Sequence, residues 1–359
     1  MDILSSPEDS TSSLVVPRYP SVTHHRTRSR PQNAVRLREY LEYVIASMHL
    51  SIALRPDVVY ASDALGAGPG IIAAQLARAA LVYHEHDAPL NRSYASVLFR
   101  MRKMAAQRAN FVVVPNAERG RILCEQTGQQ SSKLRIVSNT PRRAEVVPPS
   151  AHTSDKLIAY FHGSITPDRL PMTVIEAIRR FDGRVRLRIA GFEVPSAPDY
   201  LTQLLALGRS SRGSPIVEYL GQIPRHELLD AASKADVGLA FMPKHCEDFN
   251  MRSMVGASNK PFDYMAAGIP LLVSDLPDWV MTYCAQGFGR CCDPSSAQSV
   301  AEALTWFLEH PSERRLMGAM GRQKIQQEWN YDTAFAPIAE ELSAAVSRPP
   351  KTKWLGRRG

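Results

Sequence analysis

One polar segment followed by a short helix is the part of the sequence best suited to bind an anion. Ser258, Asn259 and Lys260 precede a helix that starts near Pro261 and ends at Gly268. Proline is favoured in a first helical turn and glycine just past a last one. Free backbone N–H groups, the positive end of the helix dipole and the lysine ammonium meet at this start. The segment therefore predicts a site for an anion such as a diphosphate.

A second group of polar side chains ends a predicted strand in the first half of the chain. His84 and His86 alternate there, so they share one face of the strand and could bind a metal ion. No third ligand accompanies them in the sequence. We therefore predict no metal site, and a histidine that only caps a strand end is the plain alternative.

Three glycines at Gly66, Gly68 and Gly70 follow a strand and open a helix, as in a dinucleotide-binding turn. Their spacing does not fit Gly-x-Gly-x-x-Gly, and Pro69 stands where a helix simply starts. We therefore predict that the protein needs no cofactor.

Composition points to an ordinary globular chain of about two domains. The 359 residues are 44% apolar and 22% charged, and the five cysteines lack paired metal-ligand spacing. No apolar run reaches the ~18 residues of a membrane span, and the N-terminus lacks the basic-then-apolar order of a signal peptide. These features predict a reduced, cytoplasmic protein.

Positive charge is concentrated in the first half. Residues 1–150 hold 19 Lys and Arg against 12 Asp and Glu, and the whole chain carries +8. The basic clusters lie at His24–Arg38, Arg100–Arg108 and Lys351–Arg358. They are either solvated surface or a patch for anionic lipid at the inner face of the membrane or for a phosphate-bearing acceptor. No nucleic-acid motif accompanies the charge, so nucleic acid is not an expected partner.

Strand-like and helix-like segments alternate in both halves, which predicts an α/β fold of two Rossmann-like domains with parallel strands. Residues 1–33 are predicted to be a disordered basic segment. The N-terminal, acceptor-side domain follows at residues 34–145, and a Pro- and Ser-rich linker at Arg142–Ser154 ends it. The C-terminal domain covers residues 155–331, followed by a helix at 332–347 and a basic tail at 348–359. In such folds, a ligand binds at the carboxyl ends of the strands.

From about Arg55 to Leu342, the order of segments resembles the retaining glycosyltransferases of the GT-B fold, family 4 in particular. The resemblance depends on five motifs in order: Phe161-His162-Gly163-Ser164, Leu187-Arg188-Ile189-Ala190-Gly191, Tyr219-Leu220-Gly221, Ala235-Asp236-Val237-Gly238-Leu239 and Ser258 to Pro270. It implies transfer of a hexose from a nucleotide-diphosphate sugar to an acceptor hydroxyl. The implied setting is the synthesis of a polysaccharide, a glycolipid or a cell-envelope glycan, with a glycan or lipid-linked acceptor.

The resemblance also implies roles for individual residues. The loop at Gly163 and Ser164, together with Arg169, would contact the donor diphosphate, as would Ser258, Asn259 and Lys260. Fixed cations stabilise the charge that grows on a departing diphosphate. Asp263 would accept hydrogen bonds from the ribose hydroxyls, and His86 would face the donor sugar. The family is thought to react by front-face displacement, in which the leaving phosphate takes the acceptor proton, and it generally needs no metal.

Two departures from the family pattern leave an alternative open. In the family, two glutamates are separated by seven residues. Asp263 stands at the position of the second glutamate and Val255 at the position of the first. The opening strand, Gly-rich loop and helix of the family's first domain are not evident, so we expect an incomplete N-terminal domain. The alternative is a truncated relative that acts as a non-catalytic nucleotide-sugar-binding or scaffold protein.

Overall fold

The computed structural model describes residues 1–5, 20–27, 36–89, 96–148, 150, 156–211 and 213–346. Most of the predicted disordered segment, and the 348–359 tail, lie outside these residues. Disorder is the wrong prediction for two described stretches, because Asp2–Ser5 and Thr23–Arg26 are parallel strands paired with each other. Each strand supplies the backbone partners that the other lacks.

The described chain forms two compact units. Unit 1 holds the described residues up to 136 and from 335 onward, and unit 2 holds the described residues from 137 to 334. The last helix therefore starts in unit 2 and ends in unit 1.

Unit 1 contains a four-stranded parallel sheet in sequential order β3-β4-β5-β6 and the separate pair β1-β2. Its elements are β1 (Asp2–Ser5), β2 (Thr23–Arg26), α1 (Arg36–Leu54), β3 (Val58–Ser62), α2 (Asp63–Ala77), β4 (Ala80–His84), α3 (Ser96–Arg108), β5 (Phe111–Val114), α4 (Ala117–Thr127), a 3-10 helix (Ser131–Lys133) and β6 (Leu134–Ile136).

Unit 2 is built on a six-stranded parallel sheet in the order β12-β11-β10-β7-β8-β9. Its elements are a 3-10 helix (Arg143–Glu145), β7 (Leu157–Ile165), α5 (Met172–Arg179), β8 (Val185–Glu193), α6 (Tyr200–Leu207), β9 (Val217–Tyr219), α7 (Arg225–Ser233), β10 (Val237–Ala240), α8 (Phe249–Arg252), α9 (Lys260–Ala266), β11 (Leu271–Ser274), α10 (Pro277–Trp279), a π-helical turn (Val280–Cys284), β12 (Gly289–Cys292), α11 (Ala297–Glu309) and α12 (Pro311–Gln327). The last helix, α13, covers Tyr331–Val346.

The strand order of unit 2 reverses between β7 and β10, which is the switch point where doubly wound sheets bind ligands. Both faces of this sheet are covered, as parallel sheets require. Phe161 of β7 packs into a core with α5 and α11, whereas its neighbour Tyr160 packs on the other face with α9. Successive β7 side chains therefore anchor both helical layers.

The last helix belongs to unit 1 from Phe335 onward. Glu341 forms an ion pair with Arg135 at 2.6 Å, and the ring of Phe335 lies 6.4 Å from that of Tyr60. Deeper in unit 1, the buried carboxylate of Glu85, just after β4, is held by Arg102 of α3 at 2.6 and 2.7 Å. This buried pair joins the end of β4 to α3.

The glycine-rich segment Gly66–Gly70 lies inside α2 rather than in a loop before the helix. The glycines serve packing, since a Cβ on Gly70 would lie 2.4 Å from Cβ of Ala61. Strand β7 also runs further than predicted, so Gly163 and Ser164 are strand residues rather than loop residues. They pair in register with Gly191 and Phe192 of the equally long β8.

Candidate active site

The carboxyl end of β7 presents backbone instead of side chains. Gly163 has φ +108°, a conformation that favours glycine. A Cβ on its neighbour Gly191 would lie 2.0 Å from the carbonyl oxygen of Gly163. A Cβ on Gly163 itself would lie 3.1 Å from Nζ of Lys260. The glycine pair therefore leaves room for the lysine to lie against the end of the strand.

Lys260 is the first residue of α9, and its side chain is buried although it is cationic. Its Nζ lies 5.3 Å from the centroid of the Phe161 ring, within cation–π range. Ser258 before it is buried, Asn259 is exposed, and the Asn259 carbonyl accepts a hydrogen bond from the backbone N–H of Asp263. Burial lowers the pKa of Lys260 to about 7, and the nearby charge of Arg169 lowers it too.

Arg169 follows β7 and reaches across the switch point. Its guanidinium nitrogens lie 2.6 Å from Sδ of Met242, just after β10, and 3.0 Å from Sδ of Met251 in α8. The structure thus brings Gly163, Lys260 and Arg169 together, as the sequence predicts. Arg169 lies close enough to lower the pKa of Lys260, and two neighbouring cations make a strong site for a multiply charged anion.

Asp263 has a different environment from the predicted one. Its carboxylate is fully buried, and both oxygens accept hydrogen bonds from Arg225, at 2.7 and 3.0 Å. The Nε of Arg225 in turn donates to Glu145 at 2.7 Å. Burial alone would raise the pKa of Asp263, but His162 and Arg225 together hold it below its ordinary value. A ribose hydroxyl therefore finds no open acceptor on Asp263.

His162 is a further buried polar side chain that the sequence did not nominate. Its Nε2 lies 3.2 Å from Oδ2 of Asp263, within ion-pair distance but poorly aligned. Among the described residues, neither ring nitrogen has a hydrogen-bond partner. Burial lowers the pKa of His162, which favours the neutral imidazole. Its backbone N–H is held by the hydroxyl of Tyr264, which also donates to the Leu239 carbonyl.

In unit 1, His86 follows β4 and is partly exposed. Its backbone N–H donates to Oδ1 of Asp63 at 2.8 Å, which fixes the turn that carries it. The ring lies against His84, with centroids 3.8 Å apart. His84 is buried and contacts the Tyr60 hydroxyl at 2.6 Å through Nδ1, and burial lowers the pKa of its imidazole to about 3. A neutral His84 therefore supports the ring of His86.

Within the part of the chain that the structure describes, no group of three or more His, Cys, Asp or Glu side chains is placed to hold a metal ion. Val255 packs partly buried against the core, and Asp248 caps α8 by accepting the backbone N–H of Asn250. None of the helices described is long and apolar enough to cross a membrane.

Sequence reasoning missed Arg225 and Glu145. Arg225 is 38 positions from Asp263, and no local pattern joins the two residues. A buried acid needs a cation nearby, but the sequence does not show which residue supplies it. Arg225 directly follows Pro224 and is the first residue of α7.

Two family models match the sequence. One, described as Glycosyltransferase Family 4, matches residues 3–140, and one described as Glycosyl transferase-like matches residues 173–340. The two parallel-sheet units have the GT-B fold, and each half of the chain matches a glycosyltransferase model, family 4 in the N-terminal half. The first match starts at residue 3, so an incomplete N-terminal domain is not confirmed.

Similar proteins of known structure share this fold. Sucrose-phosphate synthase from Thermosynechococcus elongatus matches with a TM-score of 0.72 and 17% identity, over 96% of this chain and 89% of that one. HepE from Anabaena in complex with UDP-glucose matches with a TM-score of 0.66 and 17% identity, over 90% and 86%. Glycogen synthase from Mycobacterium tuberculosis is 22% identical over 303 residues, 81% of this chain and 69% of that protein.

Proposed function

We propose that the protein is a retaining hexosyltransferase that moves a sugar from a nucleotide diphosphate to an acceptor hydroxyl. The observation that carries the proposal is the buried ammonium of Lys260, held against Gly163 at the switch point beside Arg169. A cation buried at that cost, with a second cation next to it, is explained by a multiply charged ligand.

In this proposal, Lys260 and Arg169 contact the diphosphate, together with backbone groups at Gly163, Ser164 and Ser258. Asn259, exposed at the start of α9, completes the contact. The bond between the sugar's anomeric carbon and the diphosphate oxygen breaks while the acceptor oxygen bonds to the same face. The acceptor proton goes to the departing diphosphate. The two cations stabilise the charge that this oxygen gains.

His86 is proposed to orient the donor sugar and to shape the transition state without attacking it. The neutral His84 ring behind it, together with the Asp63 carboxylate on its backbone, restricts where the imidazole can lie. A positioned side chain of this kind contributes through geometry.

UDP-hexoses are the first donors to test. HepE and an Escherichia coli trehalose-6-phosphate protein were solved with UDP-glucose and UDP-2-fluoro-glucose, respectively. The relatives support an enzyme over the non-catalytic alternative, and we propose a glycan or lipid-linked acceptor in polysaccharide, glycolipid or envelope glycan synthesis.

Calorimetric titration with UDP, GDP and ADP, followed by a donor-hydrolysis assay, tests the function. Lys260→Ala should weaken the tightest diphosphate about 10- to 100-fold, because charged hydrogen bonds are worth roughly 1.5–3 kcal/mol. Lys234→Ala, at an exposed residue directly after α7, is the matched control and should change nothing. Binding unchanged within about twofold in Lys260→Ala would refute the diphosphate site. Binding without turnover on any acceptor mixture would favour the scaffold alternative.

We further propose that the protein is cytoplasmic and contacts anionic membrane through α1. Leu41, Ile45 and Ile52 lie on one face of this helix and are 51%, 52% and 55% exposed. The exposed Arg38 and Arg55 lie toward the two ends of this stripe. An apolar face with basic residues beside it suits the interface of an anionic bilayer.

Co-sedimentation with vesicles of phosphatidylglycerol and phosphatidylcholine tests this contact. Replacing Leu41 and Ile45 by serine should reduce the bound fraction several-fold, whereas Leu316→Ser, at a residue equally exposed on α12, should not. Equal binding by all three proteins would contradict the assignment, and a shift only in oligomer size would point to a second copy of the chain instead.

A further inference from the structure

The clearest unexplained polar group in unit 2 is the chain of side chains Asp263–Arg225–Glu145. Arg225 donates to both oxygens of Asp263 through its terminal nitrogens, and to Oε1 of Glu145 through Nε. Asp263 is 1% exposed at its side chain, whereas Arg225 and Glu145 are 41% and 30% exposed. The buried Asp263 therefore fixes Arg225, and Arg225 fixes Glu145, whose carboxylate is accessible to solvent.

This chain of side chains lies on the elements that carry the diphosphate site. Asp263 is one helical turn beyond Lys260 on α9, so both side chains lie on the same short helix. Arg225 begins α7, just after β9, at the carboxyl end of the sheet. The arginine that holds Glu145 therefore starts at the same edge of the sheet as the lysine proposed for the diphosphate.

Glu145 is the group there that can still accept hydrogen bonds. Its Oε1 accepts from Arg225 Nε, and its Oε2 accepts from the backbone N–H of Arg142, each at 2.7 Å. A carboxylate has about four lone-pair positions, so roughly two remain, one on each oxygen. Two fixed carboxylate oxygens match the two neighbouring hydroxyls of a ribose.

We infer that Glu145, oriented by Arg225, is the carboxylate that binds the ribose hydroxyls of the donor nucleotide in place of Asp263. Asp263 is then a positioning residue, since it fixes the guanidinium that fixes Glu145. The inference rests on the proposed function, because it names the ribose subsite of the same donor. A glutamate at position 263 would reach further into the site, and this chain divides that task between Asp263 and Glu145.

The test compares a nucleoside diphosphate with its 2′-deoxy and 3′-deoxy forms. UDP, GDP and ADP are titrated first by calorimetry, and the tightest is then compared with its two deoxy analogues. Wild-type protein should bind each deoxy analogue roughly tenfold or more weakly, the scale of a lost hydrogen bond to a charged group. Glu145→Ala should bind the nucleoside diphosphate and its two deoxy analogues with affinities within about twofold of one another. Glu145→Gln should discriminate among them less than the wild type and more than Glu145→Ala.

Asp230→Ala is the matched control, because Asp230 is an acid of α7 paired with Lys234 on the exposed side of that helix. It should keep the full discrimination of the wild type. Thermal unfolding of each variant checks that it is folded, and Glu145→Gln serves if Glu145→Ala is not.

The outcomes separate the two proposals. Discrimination that survives in the Glu145 variants would overturn the inference, as would wild-type protein that does not distinguish ribose from deoxyribose. If Glu145→Ala weakens binding of the nucleoside diphosphate and of its two deoxy analogues by the same factor, Glu145 has a structural role and the inference is overturned. If UDP, GDP and ADP all fail to bind wild-type protein, the proposed function itself is overturned.

Discussion

Replacing Lys260 by methionine should make the protein more stable and at the same time remove its affinity for the donor. The side chain is buried against Gly163 and Phe161, where a neutral chain of similar length packs without desolvating a charge. Stability and function would then change in opposite directions, as is common for residues kept for binding.

The magnitude follows from the titration of the lysine. Burial lowers the pKa of Lys260 from 10.5 to about 7, so in the pH range between these values the unfolded chain binds more protons than the folded one. Stability of the wild type should therefore rise with pH from about 7 to about 10, and the full cost of burial should remain below pH 7. At about 1.4 kcal/mol per unit, the cost near pH 7 is of the order of 4 kcal/mol, and relaxation of a flexible side chain reduces it to about 2–4 kcal/mol.

Urea unfolding at pH 7 and pH 9.5 measures this effect. Lys260→Met should exceed the wild type by about 2–4 kcal/mol at pH 7, and the difference should shrink at pH 9.5. Lys234→Met, at an exposed position, is the control and should stay within about 0.5 kcal/mol at both values. A less stable Lys260→Met, or a gain independent of pH, would refute the reasoning that a buried charge is held there.

Two further predictions concern packing. Gly238→Ala should lower the free energy of unfolding by at least about 1–3 kcal/mol, because the new Cβ would lie 2.2 Å from the Tyr264 ring. Gly66→Ala in α2, where the nearest atom to the new Cβ is 3.7 Å away, should be neutral or stabilising. Equal losses of stability in the two variants would contradict this account. Arg102→Met should lower the free energy of unfolding in urea by about 3–5 kcal/mol, because it leaves the buried Glu85 carboxylate without its cation. Adding Glu85→Gln should restore most of this stability. A double variant no more stable than Arg102→Met would show that the ion pair does not determine the loss.

Apolar patterning was enough to locate most elements. The strand Phe111–Val114 is a buried four-residue run and the helix Ala297–Glu309 carries an amphipathic stripe, and both are local properties of the sequence. The glycines of α2 show where local reasoning fails. Glycine is unfavourable inside a helix, so Gly70 taken alone argues against one. The reason for it is a tertiary contact, because Ala61 of β3 leaves no room for a Cβ at this position.

The candidate site divides in the same way. Lys260 could be predicted because its helix start, proline and glycine are adjacent in sequence. The partner of Asp263 could not, since Arg225 arrives from another helix and covers a carboxylate that motif reasoning treats as open. The pairing of distant charges depends on which helix ends the fold brings together, and the spacing of the residues along the chain does not reveal this pairing.

All of the groups assigned here to the diphosphate and the ribose come from a single stretch of the chain, residues 142–263, within the unit whose strand order reverses between β7 and β10. Under these assignments, donor affinity can change by substitutions within this stretch alone, while the half that carries His86 keeps its own sequence.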